Sequence, residues 1–284
     1  MKIQTINKFK RIKGGKVLKQ WADYSKKCKE ILCLEGSPVA VSFRKEALSG
    51  EKIPKEGFTF CQYSQQARVK KKVLQICADN VICCKGASAL GLYEPPANVL
   101  SGKRDAGRKV RDMQAALTLQ KEIPRIKPGK FNYIIVSPLE NAPVDPDVIL
   151  ITGYPAQIWR ICQSATWKDG KRLSFSTSTS QGVCADGVVV PYLMNHMNIS
   201  LGCTGMRVFA GYSEHHLIVG LSVKKFKEMM EGLEATRARE YTYPIPYETY
   251  EATPQLPRAW TIMRKLTEEQ LEKLPEELRE ILQT

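Results

Sequence analysis

Four cysteine-bearing blocks constrain this chain most: FCQYSQQAR around Cys61, CCKGASALGLYEPP opening with Cys83 and Cys84, CADGVVVPYL from Cys184, and NISLGCTGMR around Cys203. Each sets its thiol beside glycine, proline or arginine, yet the blocks lie too far apart in sequence to meet through local structure. Any chemistry they share must be assembled by a fold that brings four distant segments to one point. Thiolates gathered in that way characteristically hold a metal or an iron–sulfur cluster.

The 284 residues suffice for one large domain or two small ones, and the 43% apolar content is that of a packed globular chain. The N-terminal MKIQTINKFKRIKGG is basic without the apolar stretch of a secretory signal, and no run approaches the length of a membrane span. The expectation is a soluble, cytoplasmic protein. In that compartment nine cysteines are reduced by default, and the odd count argues further against a full disulfide framework. Lys and Arg outnumber Asp and Glu by 43 to 29, a formal charge of +14 that suits nucleic acid, an anionic small molecule or an acidic partner. The basic residues are scattered without an aromatic platform, zinc-finger spacing or RNA-recognition signature, which argues against nucleic acid.

Periodicity supplies the elements. Residues 17–34 carry Leu18, Trp21, Ala22, Tyr24, Cys28, Ile31 and Leu32 at three- and four-residue spacing and are expected to form an amphipathic helix. PVAVSFR at 38–44, VLQICA at 73–78, FNYIIVSPL at 131–139 and DVILITGYP at 147–155 read as strands. Helices are expected from Phe58 to Arg68 with Thr59 as cap, over the small residues after Cys84, from about 109 to 121, after Pro155, and over 223–238. RVFAGY and HHLIVGL look like paired strands. The outcome is a mixed α/β fold: one domain over 1–238 with a mixed sheet flanked by helices. Residues 239–284 read as an appendage, a Tyr/Pro-rich arm and a helix capped at Thr267, suited to a homo-oligomer contact.

The succession Phe60-Cys61…Ala67-Arg68, Cys84-x-Gly86…Leu90-Gly91, Pro138, Pro155-Ala156-Gln157, Cys184 with Pro191, and Ser200-Leu201-Gly202-Cys203-x-Gly205-x-Arg207 resembles the domain of unknown function 169 family over roughly residues 17–236. That resemblance implies one mixed α/β domain from archaea and anaerobic bacteria, and no established reaction. It matches the family's second cysteine to Cys84, with Cys83 an addition.

The sequence therefore nominates Cys61, Cys84, Cys184 and Cys203 as ligands of an iron–sulfur cluster of the 4Fe–4S kind in anaerobic redox metabolism, served by a redox partner protein. Gly86, Gly202 and Gly205 would let backbone approach the cluster, and Arg68 and Arg207 would offset its charge. Zinc fits less well, for structural zinc sites usually include a close C-x-x-C pair. The competing expectation is a cluster-free module whose glycine-rich turns hold an anionic small molecule. The Gly- and Arg-rich stretch 101–108 reads either as a loop closing over an anion or as a surface connection. Cys28, Cys33, Cys77 and Cys162 sit in helical or strand patterns without such turns and are expected to be structural. Three histidines, one pair adjacent, and the lack of a phosphate-loop or dinucleotide fingerprint leave no catalytic residue assigned.

Overall fold

A computed structural model describes residues 15–51 and 53–237, together with Gln270 and Lys273. By contacts the chain divides into Met1–Glu234 and Ala235–Thr284. The arm and helix expected beyond 239 lie outside the described residues, apart from those two positions.

Six strands form one sheet, in the order β2-β3-β1-β4-β6-β5: β1 Val39–Arg44, β2 Leu74–Cys77, β3 Tyr133–Pro138, β4 Val148–Gly153, β5 Met197–Ser200 and β6 Leu217–Ser222. The mixed α/β class is the one expected, and its sheet is antiparallel at all five junctions. Side chains alternate across a strand. Val39, Val41 and Phe43 thus share a face with Leu74, Ile76, Ile134, Val136, Val148, Leu150 and Ile218, and these join one core with Phe60, Cys61, Val183, Cys184 and Val188. The alternate residues Ala40, Ile135, Ile149, Ile151, Val219 and Leu221 are just as buried. Coverage of both faces is why these strands read as continuous apolar runs rather than alternating ones.

Helix α1 (Gly15–Leu32) buries Trp21, Ser25, Cys28 and Leu32, one stripe at helical spacing. Trp21 and Tyr24 pack on Phe226 of the last helix, Val223–Ala235. That helix approaches the helix Pro155–Ala165 so closely at Gly232 that a Cβ there would stand 2.1 Å from the Ser164 carbonyl oxygen. On the cysteine side lie α2 (Phe60–Lys70) and α3 (Cys84–Ala89). Thr59 caps α2 as expected and completes a capping box with Gln62.

Two segments differ from the sequence reading, and a third had no element assigned. The helix expected from 109 starts at Met113, because Asp112 caps it through the Ala115 amide and the chain just before it turns around Asp105. RVFAGY does not form a strand; Gly205–Phe209 coils as a π-helical turn, and the partner of β6 is instead β5, which the sequence reading missed. The apolar stretch after Cys184 is likewise helical, with a π-helical segment Gly182–Val189 leading into a short α-helix, Val190–Met194.

Candidate cysteine site

Each cysteine block arrives on its own element. Cys61 sits in the first turn of α2, Cys83 is the residue immediately before α3, Cys184 lies in the π-helical segment 182–189, and Cys203 is two residues before the turn 205–209, which Thr204 opens. Wide helical turns of this kind are rare and concentrate at functional sites. Electrostatically, each of these four thiols acts on each of the other three.

Cys203 is the anionic member. Its interaction with the neighbouring Cys61 thiol brings its pKa down to about 5 against the cost of burial, assisted by the nearby backbone amides of Met206, Gly182 and Gly205. Cys61 is correspondingly pushed well above the usual thiol value, by Cys203 and by burial. Burial also raises Cys184 and Cys83; amides of Gly86 and Lys85 point at the Cys83 sulfur and oppose the rise. The amides explain why the sequence folds this way locally. The amides of Met206 and Arg207 donate to the Cys203 carbonyl at 3.0 and 3.1 Å, closing a helical turn that keeps the 205 and 206 amides beside the sulfur, where an extended RVFAGY strand would carry them away.

Glycines shape the space between the sulfurs. A Cβ on Gly86 would lie 3.5 Å from the Cys184 sulfur and 3.7 Å from that of Cys83, and one on Gly205 would lie 3.7 Å from Cys203. At Gly182 a Cβ would meet the Gly202 backbone at 2.6 Å, so only glycine lets the amide of residue 182 come so near Cys203. Gly202 itself has φ +83°, with no room for a side chain beside Met206.

Cys84 and the two arginines have partners of their own. Cys84 lies beside Cys83, and its sulfur accepts a hydrogen bond from Arg104 at 3.5 Å. Residue 83 precedes the helix and residue 84 begins it, so the two side chains leave the backbone in different directions. The arginines are also engaged elsewhere. Arg207 donates to the carbonyl oxygens of Leu201, Ser213 and Glu214, tying the 201–214 loop together. Arg68, buried at 4% exposure, lies 3.9 Å from Glu35 and donates to Gln65, and its Nε has no hydrogen-bond partner. Beside it the buried His216 faces Glu35 at 3.6 Å and accepts from the Ser213 amide; burial, then Arg68, lower its pKa.

Among the described residues no group of three or more His, Cys, Asp or Glu side chains is arranged to hold a metal ion. With Zn–S bonds of about 2.3 Å, a zinc site draws its thiolates to within about 4 Å of one another, and this arrangement does not support one. The donor chemistry suits an iron–sulfur cluster: four thiols from separate segments, amides directed at three of the sulfurs, and a bare glycine between two of them. Of the other cysteines, Cys28 is fully buried with its pKa raised to about 12, Cys162 is half-buried at about 11, and Cys77 is buried. Cys33 is exposed at the end of α1.

The match to known proteins follows the same boundaries. A family model described as an uncharacterised archaeal conserved-region group, domain of unknown function 169, covers residues 27–232, which include all four blocks. The chain belongs to the domain of unknown function 169 family. An uncharacterised protein of Methanocaldococcus jannaschii is 30% identical over 222 residues, covering 75% of this chain and 93% of that protein. No solved structure matches. Within this domain of unknown function 169 protein, no helix of the described residues is long and apolar enough to cross a membrane.

Proposed function

We propose that Cys61, Cys83, Cys184 and Cys203 ligate an iron–sulfur cluster of the 4Fe–4S kind, in a protein that serves anaerobic redox metabolism with a redox partner. The observation that carries this reading is that the sulfurs of Cys83 and Cys184, from separate segments, both lie within 3.7 Å of one point beside Gly86, with Cys61 and Cys203 close enough to shift their titration. A bound cluster would supply one-electron redox chemistry. The chain's own residues would set its surroundings. The amides of Met206, Gly182 and Gly205 at Cys203, and of Gly86 and Lys85 at Cys83, withdraw charge from the sulfurs, which favours the reduced state. Burial of Cys61 and Cys184 in the main core keeps water from them.

The second reading is a cluster-free module that binds a small anion. It is favoured by the absence of a single-ion metal arrangement among the described residues and by the Cys61 thiol, which favours the Cys203 thiolate without a metal. Anaerobic purification separates the two. The cluster reading requires broad absorption near about 400 nm and iron with inorganic sulfide in comparable amounts; a colourless, iron-free protein after anaerobic reconstitution supports the second reading.

A further inference from the structure

Beside the thiols is a cavity of about 330 Å³ lined by Cys83, Cys84, Thr204 and a set of cations: Lys85, Arg104, Arg108 and Lys109. That volume is at the small-metabolite end of ligand sites. Its one carboxylate, Asp105, is 1% exposed and already committed. It holds both Lys85 and Lys109 and accepts a further hydrogen bond from Gln120 at 2.8 Å. These contacts keep Asp105 ionised, its pKa below the usual carboxylate range despite burial.

Lys109 also donates to Ser180 at 3.0 Å, and among the described residues Arg104 reaches only the weak acceptor Cys84. Arg108 is exposed and, among the described residues, its guanidinium makes no hydrogen bond or ion pair. One buried carboxylate against four cations leaves a wall with a net positive charge. Part of it is the Gly- and Arg-rich stretch 101–108, which turns on the backbone of Asp105.

We propose that this cavity binds a small molecule carrying a carboxylate or phosphate group, clamped by Arg104 and Arg108 next to Cys84 and Cys83. A planar guanidinium presents paired donors that match either oxyanion, and here two of them border one cavity. Lys85 and Lys109, steadied by Asp105, add charge without competing for the ligand's oxygens. The site deepens the anion-binding reading, yet it does not depend on whether the four thiols hold iron.

Alkylation of Cys84 tests it, with the exposed Cys33 as internal reference. The full-length protein is labelled with anionic iodoacetate and with neutral iodoacetamide, and each modified cysteine is located by fragment-ion sequencing. The preference for iodoacetate over iodoacetamide should be roughly tenfold greater at Cys84 than at Cys33, because a cationic cleft concentrates anions. Millimolar citrate or inorganic phosphate should suppress labelling of Cys84 and leave Cys33 unchanged; protection by only one of them assigns the ligand to the carboxylate or the phosphate class. Arg104→Gln and Arg108→Gln should each reduce both effects, whereas Arg111→Gln, on the same segment outside the cavity, should not. Equal reagent preference at the two cysteines, or no protection by either anion, would overturn the proposal. Because the readout is labelling rather than iron, it fails or succeeds separately from the cluster reading.

Discussion

At position 86 the missing side chain keeps the sulfurs of Cys83 and Cys184 facing one another across open space. A methyl group there would stand at ordinary contact distance from both. Gly86→Ala should therefore fold, with a melting temperature within a few degrees of the parent, while occupying room that a cluster would need; lower iron per chain at unchanged stability is the expected result. Equal iron content would show that the space is not used. The opposite behaviour belongs to Cys28, whose thiol is fully buried and held protonated, with a pKa raised to about 12. It packs as a small hydrophobe, so Cys28→Ala should cost about 1–2 kcal/mol in denaturant unfolding and leave iron unchanged.

Between elements, Glu140 is a pin. It lies in the 3₁₀ turn Leu139–Asn141 and accepts hydrogen bonds from Ser25 of α1 at 2.7 Å and from Ser37 just before β1, with Lys71 at the end of α2 lying 3.2 Å away. Burial alone would raise its pKa, but the Ser37 and Ser25 hydrogen bonds and Lys71 outweigh it and bring the value to about 2. A depressed carboxylate stabilises the fold fully above the unfolded value near 4.5, and that contribution disappears as pH falls toward 2. The stability advantage of the parent over Glu140→Gln, measured by denaturant titration, should be about 2 kcal/mol at pH 6 and shrink steadily below pH 4. An advantage that does not change with pH would mean that Glu140 acts by packing rather than by charge. Elements of this kind were readable in the sequence wherever a cap or a continuous apolar run announced them, as with Thr59 and β4. β5 and the two π-helical segments were not, because their conformation follows from contacts made across the fold: the amides of 182, 205 and 206 converge on one thiolate, and no local pattern encodes that.

At the scale of the whole molecule, one antiparallel sheet covered on both faces seats Cys61 and Cys184 in the main core, with the half-buried Cys83 and Cys203 beside them. The glycine- and proline-bearing turns around the cysteines marked these blocks in the sequence. The sequence does not choose between the adjacent thiols Cys83 and Cys84, which turns on where α3 begins, and it does not show the pairing of Arg68 with Glu35 from just past the end of α1 or the tie that Arg207 makes to the carbonyls of Leu201 and Ser213 within its own loop. Iron and acid-labile sulfide in anaerobically prepared parent, Cys83→Ser and Cys84→Ser proteins test the central claim most directly. The parent should be brown with absorption near about 400 nm, Cys83→Ser should lose most of its iron, and Cys84→Ser should keep it. A colourless parent, or a Cys84→Ser protein that bleaches while Cys83→Ser stays brown, would contradict the assignment.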